Sequence, residues 1–96
     1  MTDKYILRGQ TAMLCADLLK WAKWLETANR RVAKDNIDGV EISTVFLGLD
    51  HAFGEAKPLL FETMIFGGKH DEYQDRCSTW DEALAMHAKA VKLVKS

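Results

Sequence analysis

The sequence predicts an α+β domain in two layers: an antiparallel sheet of three to four strands with two helices on one face, in the order β-α-β-β-β-α. Three observations carry this reading. The stretch Val40–Gly68 is two apolar runs bracketing a loop that contains Gly54 and Pro58. Its apolar residues fall at both parities of a strand, whereas a strand with one wet face alternates. Helical periodicity flanks the block on both sides, and Asp38-Gly39 signals a tight hairpin.

The elements follow in order. Lys4–Leu7 is a short strand that ends at Arg8-Gly9. Leu14, Leu18, Trp21, Ala22 and Leu25 then form one stripe of a helix, with Lys20, Lys23 and Glu26 on the other side. Arg30–Ile37 is a strand, and Asp38-Gly39 turns it into a second strand, Val40–Asp50, because Gly accepts positive φ without a Cβ clash. Leu59–Phe66 is the next strand, with Pro58 at its tolerated leading position and Gly67-Gly68 closing it. Lys69–Ser78 reads as a polar loop. Thr79-Trp80-Asp81-Glu82 fits a capping box, and the final helix carries the stripe Trp80, Leu84, His87, Ala88, Val91 and Val94. Lys89, Lys92 and Lys95 lie toward its C-terminal end, where cations complement the helix dipole.

Ninety-six residues predict a single domain, 1–96, that is 48% apolar and 28% charged. Thirteen basic residues against fourteen acidic ones argue against a nucleic-acid partner. No run approaches the roughly 18 apolar residues of a membrane span, and no signal-like segment follows Met1, so no membrane partner and an intracellular setting are expected. Cys15 and Cys77 form no CxxC pair and are expected to be reduced thiols.

Pairing the strands around loop 51–58 with Gly48 opposite Glu62 sorts the side chains. Val45, Leu47, Leu49, Phe61 and Ile65 make one almost wholly apolar face, expected to take the helices. Ile42, Phe46, Gly48, Asp50, Leu60, Glu62, Met64 and Phe66 make a mixed face, expected to seek a partner or ligand. The candidate binding residues are therefore Phe46, Asp50, His51, Glu62, Met64 and Phe66, with Trp24 as an aromatic flanking the first helical stripe.

Catalytic chemistry finds little footing. Asp50, His51 and Glu62 could form an acid/base group, but neighbouring strand residues point to opposite faces, and Asp50 equally suits capping the loop. His51, His70 and His87 match no ligand spacing, so no metal or other cofactor is expected, and His87 reads as a satisfied core histidine. Cys77 precedes a helix start that favours a thiolate, but Asp81 and Glu82 oppose that. Gly67-Gly68-Lys69 lacks phosphate-loop spacing.

The run Ser43–His51, then Phe53-Gly54, then Pro58–Gly68, with Tyr5-Ile6-Leu7, Asp75-Arg76, Ser78-Thr79-Trp80 and His87, resembles a family of small uncharacterised phage and prophage proteins. The chain departs from that family at Cys77, where a tyrosine is usual, and near Glu55–Lys57, where glycine or proline is usual. The resemblance implies a viral accessory protein in a bacterial cytoplasm and brings no activity with it. The combined expectation is a non-enzymatic binding protein, a homo-oligomer and most simply a dimer, that engages a host or defence component through the mixed face. The alternative is a protein that binds or cleaves a small molecule with Asp50 and Glu62 in an apolar pocket.

Overall fold

The computed structural model describes residues 3–52 and 57–96. Phe53 and Gly54 of the resemblance block, and the loop residues Glu55 and Ala56, lie outside the described residues. The chain is α+β, with the order β1 (Tyr5–Arg8), β2 (Thr11–Leu14), α1 (Leu18–Thr27), β3 (Arg31–Ile37), β4 (Val40–Phe46), β5 (Phe61–Phe66), β6 (Gln74–Cys77) and α2 (Trp80–Lys95). β1 and β2 form an antiparallel ribbon, and β3-β4-β5-β6 form an antiparallel sheet in sequence order. Among the described residues no helix is long and apolar enough to cross a membrane.

Two strands were not legible in the sequence pattern. Thr11–Leu14 looked like the approach to the first helix, because Leu14 and Leu18 are spaced by a helical four. Gly9 at φ 63° instead reverses the chain, β2 pairs with β1, and the helix starts only where the Asp17 side chain accepts from Lys20 N at 3.1 Å. Gln74–Cys77 looked like loop because it is polar. It is an edge strand on β5, and polar residues suit an edge. The Asp38-Gly39 turn forms as expected, with φ of 50° and 84° at its two central residues, and fixes the β3–β4 register.

The strand faces differ from the expectation in one decisive way. β4 and β5 pair with Val45 opposite Glu62 and Thr44 opposite Thr63. Gly48 is not opposite Glu62. That three-residue offset turns β4 over relative to β5, so even positions of β4 share a face with odd positions of β5. Ile42, Thr44 and Phe46 meet Ile65, Thr63 and Phe61, and all six are fully buried. Phe61 and Ile65 are core as expected, while Phe46 and Ile42 are core against expectation.

β4 also stops earlier than the sequence suggests. Gly48 stands at φ 79°, and its carbonyl accepts from Tyr5 N at 2.8 Å and from the Trp21 indole at 3.0 Å. A Cβ there would sit 2.9 Å from Leu25 Cδ1. One glycine thus ends β4 and ties both β1 and α1 to it.

α2 packs across β3, β4, β5 and β6, whereas α1 packs on β1 and meets the larger sheet's core through Trp24. The two helices do not jointly cover one sheet. The capping box forms in full: Thr79 Oγ1 accepts from Glu82 N at 3.2 Å, and Glu82 Oε1 accepts from Thr79 N at 3.1 Å. The face α2 buries is Ala83, Met86, His87 and Ala90, and Leu84 is largely in solvent. Small Ala83 and Ala90 let the helix approach the sheet closely, which a stripe of larger residues would prevent. The core is an edge-to-face aromatic chain, Trp24–Phe46–Phe61–Trp80, with centroid separations of 5.7, 5.3 and 6.3 Å.

This face assignment has a measurable consequence. Phe46→Ala and Phe61→Ala should each lower unfolding free energy by about 3–5 kcal/mol in urea titrations, while Phe66→Ala costs less than about 1 kcal/mol. Matching small losses for Phe46→Ala and Phe66→Ala would place Phe46 outside the core.

Candidate functional site

The residues singled out from the sequence do not converge. Phe46 is the centre of the core, and Trp24 packs edge-on against it, so neither offers a free surface of the mixed-face kind. Asp50 Oδ1 accepts from Ala52 N at 2.8 Å and Leu59 N at 3.0 Å, which makes it the clamp of its loop. His51 follows it with its N–H bonded to Leu59 O. Glu62 lies on the opposite face of the sheet from the core, where Oε2 accepts from Arg76 Nε at 2.9 Å and from the Gln74 amide. Met64 and Phe66 share that outer face by strand parity. Asp50 and Glu62 accept from separate partners and His51 is held at its backbone by Leu59, so among the described residues no contact joins the three into an acid/base group or Asp50 and Glu62 into one pocket.

The outer face is also more polar than a partner-seeking sheet. Lys34 bridges Glu41 at 3.3 Å, and Glu62 joins Arg76 and Gln74 across β5 and β6. Cross-strand ion pairs of this kind are ordinary for a sheet that faces water. The need for a second covering layer, inferred from apolar residues at both parities, disappears once β4 is turned over.

One constellation escaped the sequence reading. Asp35 Oδ2 lies 2.7 Å from His87 Nε2, His87 Nδ1 lies 2.7 Å from Thr44 Oγ1, and Thr44 Oγ1 lies 2.5 Å from Thr63 Oγ1. In a neutral imidazole the Asp35 carboxylate accepts from Nε2–H, and Nδ1 then accepts from the Thr44 hydroxyl, which accepts from Thr63. Acid, imidazole and hydroxyl in that order resemble a nucleophile triad. The hydroxyl, however, is 0% exposed beneath α2, where no substrate can reach it. The chain therefore pins α2 to the sheet and satisfies three buried polar side chains. The reading of His87 as a satisfied core histidine agrees with this. Thr44 and Thr63, the polar residues interrupting two apolar runs, were its visible signal, but only the true register brings them face to face.

Other chemistries find no support. Among the described residues no group of three or more His, Cys, Asp or Glu side chains is placed to hold a metal ion. Burial, reinforced by Glu82, pushes the Cys77 thiol up to about 11, so it is protonated at neutral pH and is a poor nucleophile.

Two surface features remain. A cleft of about 430 Å³ opens between the β1–β2 ribbon and the start of α2, and none of the seven predicted site residues lines it. The second is an apolar surface at the β2–α1 junction. Leu14 is 63% and Leu19 78% exposed, with Met13 and Leu18 beside them in sequence also exposed. Among the described residues no strand pairs with the outer backbone edge of β2. Cys15 N–H bonds to Lys4 O across the ribbon, so by alternation the amides of Ala12 and Leu14 point away from β1. The other edge of β1 is already engaged by Gly48–Asp50, through Tyr5 N to Gly48 O and Asp50 N to Asp3 O.

No family model, no curated protein and no solved structure matches this chain.

The raised Cys77 thiol has a measurable consequence. Because the folded value is raised above the ordinary 9.0, the protonated thiol favours the fold fully below about pH 9. That contribution disappears as pH rises to about 11. Iodoacetamide should label Cys77 in the folded Cys15→Ala protein far more slowly at neutral pH than it labels free cysteine. The rate should climb steeply toward pH 11. Rapid labelling at neutral pH in a folded sample would restore Cys77 as a reactive group.

Proposed function

We propose that this chain is a non-catalytic binding protein that acts as a twofold dimer, joined by antiparallel pairing of β2 with β2 of a second copy. The observation that carries the reading is the uneven guarding of its strand edges. Exposed edges invite pairing, and proteins blunt them with charge, proline, bulges or brevity. β3 carries Arg31, Lys34 and Asp35 and has a bulge between Arg31 and Ala33. β6, the same four residues in length as β2, carries Asp75 and Arg76. β2, Thr-Ala-Met-Leu, has no charge and no proline, and it is bordered by exposed Leu18 and Leu19.

A second copy fits this edge because a twofold axis normal to the ribbon pairs the strand antiparallel with itself and closes the assembly at two. Each copy brings four exposed apolar side chains, Met13, Leu14, Leu18 and Leu19, to the junction. Burying a large apolar side chain completely contributes about 1.5–3 kcal/mol, so partial burial of both sets is comparable with the roughly 4–15 kcal/mol cost of association. Backbone hydrogen bonds from Ala12 and Leu14 supply the directionality. The resemblance of the Ser43–Gly68 block to phage and prophage proteins supports a bacterial cytoplasmic setting, in which the dimer is the unit that engages a host component.

Light scattering at high-micromolar concentration should give twice the 10.9 kDa of one chain. Met13→Lys and Leu14→Lys place a guard on the edge and should give monomers with unchanged circular dichroism. Gln74→Lys on the edge strand β6 should leave the dimer intact. A wild-type monomer, or lysine variants that keep the doubled mass, contradicts the proposal.

A further inference from the structure

The cleft beside α2 is lined by residues of the ribbon, the core and the helix start. Its floor is Leu60 and Phe61, both buried, and Tyr5 and Trp80 stand among its lining residues. Its polar lining includes Gln10 and Asp81, together with hydroxyl-bearing residues of the ribbon turn and the helix start. At about 430 Å³ it falls within the span of small-molecule sites, which are mostly apolar with a few convergent polar groups.

Charge selects among the ligands this shape admits. Among the described residues no lysine, arginine or histidine lines the cleft. The start of a helix normally favours anions through its free N–H groups and dipole. Here Glu82 already occupies that role, accepting from Ser78 N and Thr79 N, and Thr79 Oγ1 accepts from Glu82 N. Asp81 adds a second carboxylate in the same turn and has no hydrogen-bond or ion-pair partner among the described residues. The other side is negative as well: burial first, then the Asp3 and Asp50 carboxylates, hold the Tyr5 phenol above its ordinary 10.0, so it remains a neutral hydroxyl. An anion entering this cleft meets the carboxylates of Asp81 and Glu82, whereas a cation meets aromatic rings and the Asp81 carboxylate.

We infer that the cleft is a binding site for a small organic cation with an apolar or aromatic body, such as an arylalkylamine. The apolar body lies on the Leu60–Phe61 floor beside Tyr5 and Trp80, and the ammonium is directed toward Asp81. This site uses side chains on the inner side of the ribbon, whereas self-association uses the outward backbone of β2, so each stands or falls without the other.

Phenethylamine and phenylacetate are matched probes, the same ring and chain length with opposite charge. In ¹H–¹⁵N spectra at neutral pH, phenethylamine should give saturable shifts confined to Tyr5, Gln10 and the start of β2, Ser78–Asp81 and the Trp80 indole, and phenylacetate should give none. Asp81→Asn, an exposed position, should weaken phenethylamine binding about three- to fivefold. Gln10→Glu, on the cleft lining, should tighten it by a similar factor. Circular dichroism on both variants confirms the fold. Equal binding of phenylacetate, shifts centred outside the cleft, no saturation, or variants with unaltered affinity would overturn the assignment.

Discussion

The pairing of β4 with β5 is the constraint on which the rest of this structure depends. Thr44 stands opposite Thr63, and their hydroxyls run into His87 of α2 and on to Asp35 of β3. One chain of short hydrogen bonds therefore joins three neighbouring strands and the helix that covers them. Any shift of β4 against β5 would separate Thr44 from Thr63 and leave the buried Thr63 hydroxyl without this partner. An orphaned group of this kind costs about 1–3 kcal/mol. The apolar pairs on either side, Ile42 with Ile65 and Phe46 with Phe61, drive association of the layers. They would accept several registers, and the polar chain accepts one.

From this register follows the distribution of surface. Turning β4 over sends Phe46 inward and leaves Glu41, Val45, Glu62, Met64, Phe66, Gln74 and Arg76 on the other face by parity, with small Ser43 buried among them. That outer face is laced with ion pairs and suits water. The apolar surplus in the composition appears instead at the β2–α1 junction, where α1 has no buried residue and Leu14, Leu18 and Leu19 are in solvent. The ribbon is held to the body by Gly48 and by Tyr5, Leu7 and Ala12 against the aromatic core. Its outer edge is left unguarded while both edges of the larger sheet are guarded. The exposed apolar surface thus lies on a small appended ribbon and the helix after it, and not at the centre of the sheet.

How much of this was legible in the sequence depends on what fixes each feature locally. Asp38-Gly39 fixed the β3–β4 register because a two-residue turn leaves no slack, and the Thr79–Glu82 box fixed the start of α2 for the same reason. The β4–β5 register was not legible because the chain from Leu47 to Leu60 is long enough to permit either parity. The error propagated directly: with β4 inverted, Phe46 was placed on a binding face. Trp24, read from the sequence as an aromatic flanking the first helical stripe, packs edge-on against Phe46, and Asp50 and Glu62, expected to share a pocket, take separate partners. β2 was missed because four residues are too few to outweigh the helical spacing of Leu14 and Leu18. The inward face of α2 was misread by one position because Ala83 and Ala90 serve closeness of approach, which a hydrophobicity pattern does not register.

The register itself can be observed directly. In this pairing Thr44–Thr63, Phe46–Phe61 and Ile42–Ile65 alternate with the hydrogen-bonded Leu47–Leu60 link. They are therefore non-hydrogen-bonded pairs, with Cα atoms about 4.5 Å apart and facing Hα atoms. Nuclear Overhauser spectra should show Hα–Hα cross-peaks for all three pairs. Cross-peaks joining Phe46 to Met64, which belong to the register with Gly48 opposite Glu62, would contradict the account.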